Sequence, residues 1–250
     1  MRLTRCHVSV PLSVGARVVL PEGAANHLTR VLRLRVGEGC ILFNGDGCDY
    51  AGTLVATGKR ESMVEIASVR QVDNESPLHI TLVQGVARGE KMDLILQKAT
   101  ELGVAAFVPV MAERTEVKLD AERATKRMAH WRSVISSACE QSGRARVPGI
   151  GAAVPLADAL PALDRASMLL TLDPNGESSI GSMDAPVGAR ATIAIGPEGG
   201  WSPRDRDQLR AAGFQGLRLG PRVLRTETAG LAAIAALQAR FGDLVGNPSD

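Results

Sequence analysis

Arg225, Thr226, Glu227 and Thr228 set a cation, a carboxylate and two hydroxyls side by side, directly after the bend Leu219-Gly220-Pro221-Arg222-Val223-Leu224. A second bend, Gly196-Pro197-Glu198-Gly199-Gly200, precedes it and carries one carboxylate, Glu198, among residues that otherwise only turn the chain. Each bend follows a short apolar run, 191–195 and 217–219, and each leads toward a helical pattern. Strand, glycine-bearing loop and helix N-terminus in that order leave main-chain N–H groups exposed at the carboxyl edge of a sheet, where open α/β proteins hold their ligands. A purely structural turn has no use for a matching loop rich in arginine, threonine and glutamate. The two bends are therefore expected to share one pocket.

The elements that must position these bends can be read from the texture of the chain after Pro77. Apolar runs at 78–84, 105–110 and 168–172 alternate with helical patterns at 91–102, closed by Gly103, and at 121–139. That alternation predicts an α/β domain with a mostly parallel sheet and helices on its faces. The run at 105–110 is expected to stop near Pro109. Ser202, Pro203 and Asp205 supply a cap, a preset first φ and a carboxylate at the positive end of a helix. The last helix, from 226 to about 241, mixes Ala229, Gly230, Ala232, Ala233, Ala235 and Ala236 with Leu231, Ile234 and Leu237. It is apolar nearly all round, so it must be buried on more than one side, and its small residues suit close packing in a homodimer.

Before Pro77 the pattern is different. Short β-type runs at 17–20, 40–43, 52–56 and 63–69 are separated by turn signals that include Asn44-Gly45 and Asp46-Gly47. They predict a small β-barrel domain over 1–72, a polar linker at 71–77 and a second domain over 73–250. Within the first, 24–33 reads as a helix that Asn26 caps, with Arg30 and Arg33 one turn apart on one face. Residues 1–36 carry Arg2, Arg5, Arg17, Arg30, Arg33 and Arg35 against Glu22, a local +5 in a chain whose net charge is +2. Such a block is a plausible phosphate-binding surface. Aromatic residues make up 3% of the chain, so stacking platforms for bases are scarce.

Other chemistries find no support. No uncharged apolar run reaches the roughly eighteen residues of a membrane span, and Arg2, Arg5 and Arg17 interrupt what would be a secretory segment, so a cytoplasmic location is expected. Cys6, Cys40, Cys48 and Cys139 have no C-x-x-C spacing, and His7, His27, His79 and His130 form no i, i+4 pair, so reduced thiols and no metal site are expected. No G-x-G-x-x-G follows an early strand and no G-x-S-x-G exists, which argues against a nicotinamide enzyme or a serine hydrolase. The tail after Gly246 reads as disordered.

The paired bends occur with His27-Leu28-Thr29-Arg30-Val31-Leu32-Arg33, with Lys91-Met92 and Gln97-Lys98-Ala99-Thr100-Glu101-Leu102-Gly103, with Glu113-Arg114-Thr115 and with Glu140-Gln141-Ser142-Gly143-Arg144. Over nearly the whole chain this set resembles the SPOUT methyltransferases, and more closely the bacterial 16S ribosomal RNA uracil-N3 methyltransferases. The resemblance implies an N-terminal PUA-like barrel, a C-terminal SPOUT domain with a trefoil knot, S-adenosylmethionine as cofactor, and ribosomal RNA, naked or within the assembled small subunit, as substrate. It implies a cofactor site of Leu172, Ile195, Gly196, Pro197, Gly199, Gly200, Leu219, Gly220, Val223, Leu224, Thr226, Thr228 and Ala229. Uracil N3 must lose a proton to become a nucleophile, so Glu198 and Glu227 are the candidate bases, and Arg225 and Arg144 are candidates to hold negative charge on the flanking carbonyl oxygens. Arg5, Arg30, Arg33 and Arg114 would take RNA phosphates. Two other readings stay open: a methyltransferase of the same fold acting on another RNA or base, and a non-catalytic RNA-binding dimer.

Overall fold

The computed structural model describes residues 3–58, 61–117 and 121–244; Arg2 and the tail after Gly246 lie outside them. Two compact units divide the chain, Met1–Glu75 with Ser136–Val147, and Ser76–Ile135 with Pro148–Asp250. Each is thus built from two pieces of chain, because a long helix crosses from the second unit into the first.

In the first unit β1 (Thr4–His7), β2 (Arg17–Val19), β3 (Gly39–Phe43), β4 (Cys48–Thr57) and β5 (Ser62–Gln71) form one sheet in the order β1-β3-β4-β5-β2. Only the β1–β3 pair is parallel. Alternation along β3 to β5 turns Leu42, Leu54, Val64 and Ile66 into a core that also takes Leu28. The turn before β4 is tied by its own side chains, with Asn44 Oδ1 accepting from the Asp46 N–H and Asp46 Oδ1 from the Cys48 N–H. The helix expected over 24–33 is shorter and irregular. A one-turn α1 (Glu22–Asn26) runs straight into a π turn, His27–Val31. Asn26 sits inside the helical stretch and makes no cap, and Arg33 falls beyond its end at φ 55°, so Arg30 and Arg33 do not share a helical face.

The second unit carries β6 (His79–Gly85), α2 (Glu90–Glu101), β7 (Val104–Met111), most of α3 (Ala121–Ser142), β8 (Gly149–Ile150), β9 (Val154–Pro155), a short α4 (Leu156–Ala159), β10 (Met168–Leu172), β11 (Arg190–Ile195), α5 (Pro203–Ala211), β12 (Gln215–Leu217) and α6 (Thr226–Phe241). Its sheet runs β12-β10-β11-β6-β7-β8, with β9 also on β7, and every pairing is parallel. The chain leaves β6 toward β7 on one side and later returns to fill the other, so the order reverses where β6 meets β11. Open parallel sheets hold ligands at such a switch, beyond the carboxyl ends of the strands.

β7 does not stop at Pro109. The Phe107 carbonyl faces the β8 side, where it accepts from the Gly151 N–H (3.4 Å). Pro109 faces the same way two residues on, in the gap between the short β8 and β9, where no ladder bond needs its missing N–H. The expected cap of α5 is present as a full capping box, Ser202 Oγ accepting from the Asp205 N–H and Asp205 Oδ2 from the Ser202 N–H. In α6, Ala233, Ile234, Leu237 and Gln238 are buried, whereas Leu231, Ala232, Ala235 and Ala236 stay partly exposed.

Candidate functional site

Both bends open onto one cavity of about 520 Å³ at the switch point. Leu172 at the end of β10, Ile195 at the end of β11, the bend 196–200, Leu219, Gly220, Val223 and Leu224 of the second bend, and Thr226 and Ala229 of α6 all line it. Of the residues expected there, Thr228 is left out: helical rotation carries it to the exposed outside of the first turn of α6. Arg222 of the second bend lines the cavity too, as do Arg88, Lys91, Asp173, Pro174, Trp201, Arg206 and Leu217, which the sequence did not assign to the site. They come from strand ends, loops and the first turns of α2 and α5, whose adjacency depends on strand order, which no local pattern announces.

A set of long-range contacts fixes the two bends to each other. Thr226 Oγ1 donates to the Gly196 carbonyl (2.6 Å) and accepts from Gln84 Nε2 (3.2 Å), tying the start of α6 to the first bend and to β6. Beneath that bend Gly85 is required, because a β-carbon there would stand 2.5 Å from the Pro197 nitrogen and ring. Arg114 donates to the Gly199 carbonyl (3.1 Å), and the Glu113 N–H to the buried Asp205 carboxylate (3.3 Å). The Glu113-Arg114-Thr115 segment thus braces both the first bend and the helix that follows it. Trp201 closes the arrangement with its Nε1–H on Thr171 Oγ1 (3.1 Å). The second bend is different: among the described residues the main-chain groups of 219–224 form no hydrogen bond, so its amides and carbonyls are open to a ligand or to solvent.

The two carboxylates at the cavity have unlike surroundings. Glu198 Oε1 accepts from the Arg88 N–H (3.1 Å) and from Lys91 Nζ (3.3 Å). Burial alone would raise its pKa, but the bonds from the Arg88 main chain, its own main chain and Lys91 outweigh burial and hold it below the ordinary value. Glu198 is therefore a fixed anion that clasps the first bend to the start of α2, and a weak proton acceptor. Glu227, in the first turn of α6, has one carboxylate oxygen, Oε2, buried with no partner among the described residues. Arg225 is the exposed N-cap residue of α6 at the rim. With Arg206 and Arg222 it gives the rim three cations that form no ion pair among the described residues, whereas Arg88 pairs with Glu116 and Lys91 with Glu198.

The remaining expected residues lie elsewhere. Arg144 belongs to the first unit and does not line the cavity; its buried guanidinium pairs with Glu75 (Nε to Oε1, 3.0 Å). Arg5, expected on RNA, is 8% exposed. It is ion-paired with Asp49, donates to the Arg144 carbonyl (2.9 Å) and stacks on Phe43, which leaves it no free face for a phosphate. Arg30 and Arg33 are exposed in the first unit. Arg114 is exposed as well, but one of its nitrogens holds the first bend. Among the described residues no cluster of His, Cys, Asp or Glu could hold a metal ion, and no helix is long and apolar enough to cross a membrane.

The family described as an RNA methyltransferase domain matches residues 74–238, and one described as an RNA methyltransferase PUA domain matches residues 20–66. The ribosomal RNA small subunit methyltransferase E of Neisseria gonorrhoeae, solved bound to S-adenosyl methionine, is 42% identical with a TM-score of 0.89, over 97% of this chain and 100% of that one. A Legionella pneumophila protein described as a methyltransferase, solved with bound cofactor SAM, is 37% identical with a TM-score of 0.93, over 98% of this chain and 100% of the other. The ribosomal RNA small subunit methyltransferase E of Aquifex aeolicus is 33% identical over 226 residues, 89% of this chain and 94% of its own length. The cavity and both bends fall within residues 74–238, and on that match the chain belongs to the RNA methyltransferase family.

Proposed function

We propose that this protein transfers a methyl group from S-adenosylmethionine to N3 of a specific uridine in small-subunit (16S) ribosomal RNA. The observation that carries the reading is the meeting of both bends on one cavity at the switch point of the sheet, in a chain whose Neisseria and Legionella relatives were solved with this donor bound. The residues present fit the donor. The unbonded main chain of 219–224 offers amides and carbonyls to an adenosine, and Leu172, Ile195, Leu217, Leu219 and Leu224 supply apolar walls. When bound, S-adenosylmethionine supplies an electrophilic methyl group on a positively charged sulfonium. Carbonyls and apolar side chains suit that charge better than a tight carboxylate, which would favour the ground state over a transition state in which the charge fades.

Proton removal from uracil N3 falls to Glu227, whose Oε2 is buried and without a partner, rather than to Glu198, whose carboxylate is held down by its donors. Arg225 holds the negative charge that grows on the carbonyl oxygens beside N3; a guanidinium can do so without giving up a proton. The buried pair with Glu75 fits Arg144 to a structural role in the first unit, so the charge-holding part is proposed for Arg225 alone. Arg30 and Arg33 take RNA phosphates, as do the exposed arginines of the cavity rim. The partly exposed Leu231, Ala232, Ala235 and Ala236 of α6 fit packing against a second copy of the chain, and a C-terminal trefoil knot and a cytoplasmic place of work belong to the same reading.

Mass spectrometry of ribosomal RNA nucleosides from cells with and without the gene tests the reaction, with loss of one N3-methyluridine as the expected result. Arg225→Ala and Glu227→Gln should each lower turnover by about 10²-fold or more while calorimetry still detects donor binding. Wild-type turnover in either variant removes that residue from the chemistry.

A further inference from the structure

Between 27 and 36 the first unit departs from regular backbone twice in succession. The Leu32 N–H reaches back to the His27 carbonyl (3.0 Å) to close the π turn, and Arg33 then takes a left-handed φ of 55°. A π turn is rare, and a side-chain-bearing residue at positive φ is strained where glycine would not be. Strain of this kind persists only where the surroundings enforce it, and it concentrates where a surface has work to do. Here the fully buried Leu28 anchors the segment from beneath, and the Leu34 N–H closes it on the Leu28 carbonyl (2.9 Å).

The consequence is what points outward. Val31, Leu32 and Val36 are 67%, 43% and 55% exposed, and they alternate with the exposed side chains of Arg30, Arg33 and Arg35. Glu38, the one acid from 27 to 38, has its carboxylate on the Arg35 N–H (2.8 Å). Three exposed aliphatic side chains interspersed along the chain with three exposed arginines match neither a solvated face nor a packed core. The charge calls for a polyanion, and the aliphatic side chains among the arginines call for something flat and apolar within it. Duplex RNA hides its base faces and shows phosphates and sugar edges, whereas unpaired RNA can lay its bases open. Elsewhere in nucleic acid recognition, aliphatic side chains serve as wedges against unstacked bases.

Resting on the reading of the protein as an RNA-modifying enzyme, we infer that this knuckle is a docking surface for unpaired RNA: Val31 and Leu32 pack on the faces of unstacked bases while Arg30, Arg33 and Arg35 hold the flanking phosphates. It separates two jobs that a basic patch alone would merge. The arginines supply affinity for any RNA, and the aliphatic pair supplies preference for a single strand.

The test uses the full chain, an oligouridylate and a blunt RNA duplex of matched phosphate number, titrated at several salt concentrations. Wild type should prefer the oligouridylate. Val31→Ser combined with Leu32→Ser should weaken oligouridylate binding about fivefold or more, leaving duplex affinity and salt slope unchanged. Arg30→Ala should weaken both and reduce the salt slope by about one. Arg33→Gly relieves the backbone, so it keeps the fold while losing affinity for both RNAs. A double serine variant with an unchanged melting curve that binds both RNAs as wild type does, or loses both equally, overturns the inference and leaves the surface to a protein partner or to none. Calorimetry with S-adenosylmethionine on the same wild-type sample keeps the two levels apart: heat with no strand preference sinks the docking surface alone, and no heat sinks the enzymatic reading beneath it.

Discussion

One added methyl group at Gly85 tests whether the end of β6 sets the position of the first bend. A β-carbon there would stand 2.5 Å from both the Cδ and the nitrogen of Pro197 and 3.0 Å from the Gly196 carbonyl carbon. These are ring and main-chain atoms, so none can swing aside as the end of a side chain would. Ordinary contact begins at about 3.5 Å, so the bend must retreat by roughly 1 Å. Overpacking of this kind costs about 1–3 kcal/mol, and in a chain of this size each kcal/mol lowers the melting temperature by about 2–4 °C. The effect on chemistry should be larger, because a misplacement of about 1 Å in a positioned reactant can cost ~10²-fold in rate. Gly149→Ala is the control: its β-carbon would meet nothing within 4 Å and its φ is not positive. Calorimetry gives the dissociation constant of S-adenosylmethionine, transfer of a labelled methyl group to small-subunit ribosomal RNA gives kcat, and circular dichroism gives the melting curve. If Gly85→Ala matches Gly149→Ala in donor affinity and turnover, the contact between β6 and Pro197 does not position the site.

Acid should loosen the same bend through Glu198. The carboxylate is held below its ordinary 4.5, so its contribution is complete above that pH and is lost as the pH falls through the lower, folded value. Donor affinity should therefore drop on the acid side of about pH 4.5, and Glu198→Gln should be weaker at neutral pH and lack that acid limb; a variant with the limb intact would assign it to another group. Asp49→Ala should destabilise the first unit by about 3–5 kcal/mol, because it strands the buried Arg5 guanidinium; chemical denaturation reads this, and a loss below about 1 kcal/mol would contradict the pairing. Burial pushes the Cys40 thiol up to about 11 and the Cys139 thiol to about 12, and raises Cys6 further still, while Cys48 is only half-buried. Ellman's reagent at about pH 8 should label Cys48 alone in the folded protein and the other three only after denaturation, so a second fast thiol would argue against the packing around them.

Where a feature depends on neighbours in the chain, the reading from sequence and the structure agree closely. The run at 168–172 is β10, the apolar stretch from 226 is α6, and the Ser202–Asp205 box caps α5 as its spacing requires. Hydrogen-bond periodicity and capping are satisfied within a few residues, so they leave local marks. The segment 24–33 shows the limit of that rule. Its composition is helical, but the burial of Leu28 in the sheet core pulls it into a π turn and strands Arg33 beyond the end.

The amino-acid sequence by itself determined the two bends, the strands that end in them and the kind of chemistry their residues could do. It also carried the resemblance that named the family. Only the tertiary structure decided which charged groups are free to act. Arg5 is taken by Asp49, Arg144 by Glu75, Arg88 by Glu116 and Lys91 by Glu198, partners far away along the chain, whereas Arg206 and Arg225 reach the cavity with no ion pair among the described residues. Glu198 and Glu227 are the same residue type at the same rim, yet one is held by donors and the other has a buried oxygen with none. Electrostatic environment is a property of what surrounds a group in space, and spacing along the chain carries no record of it.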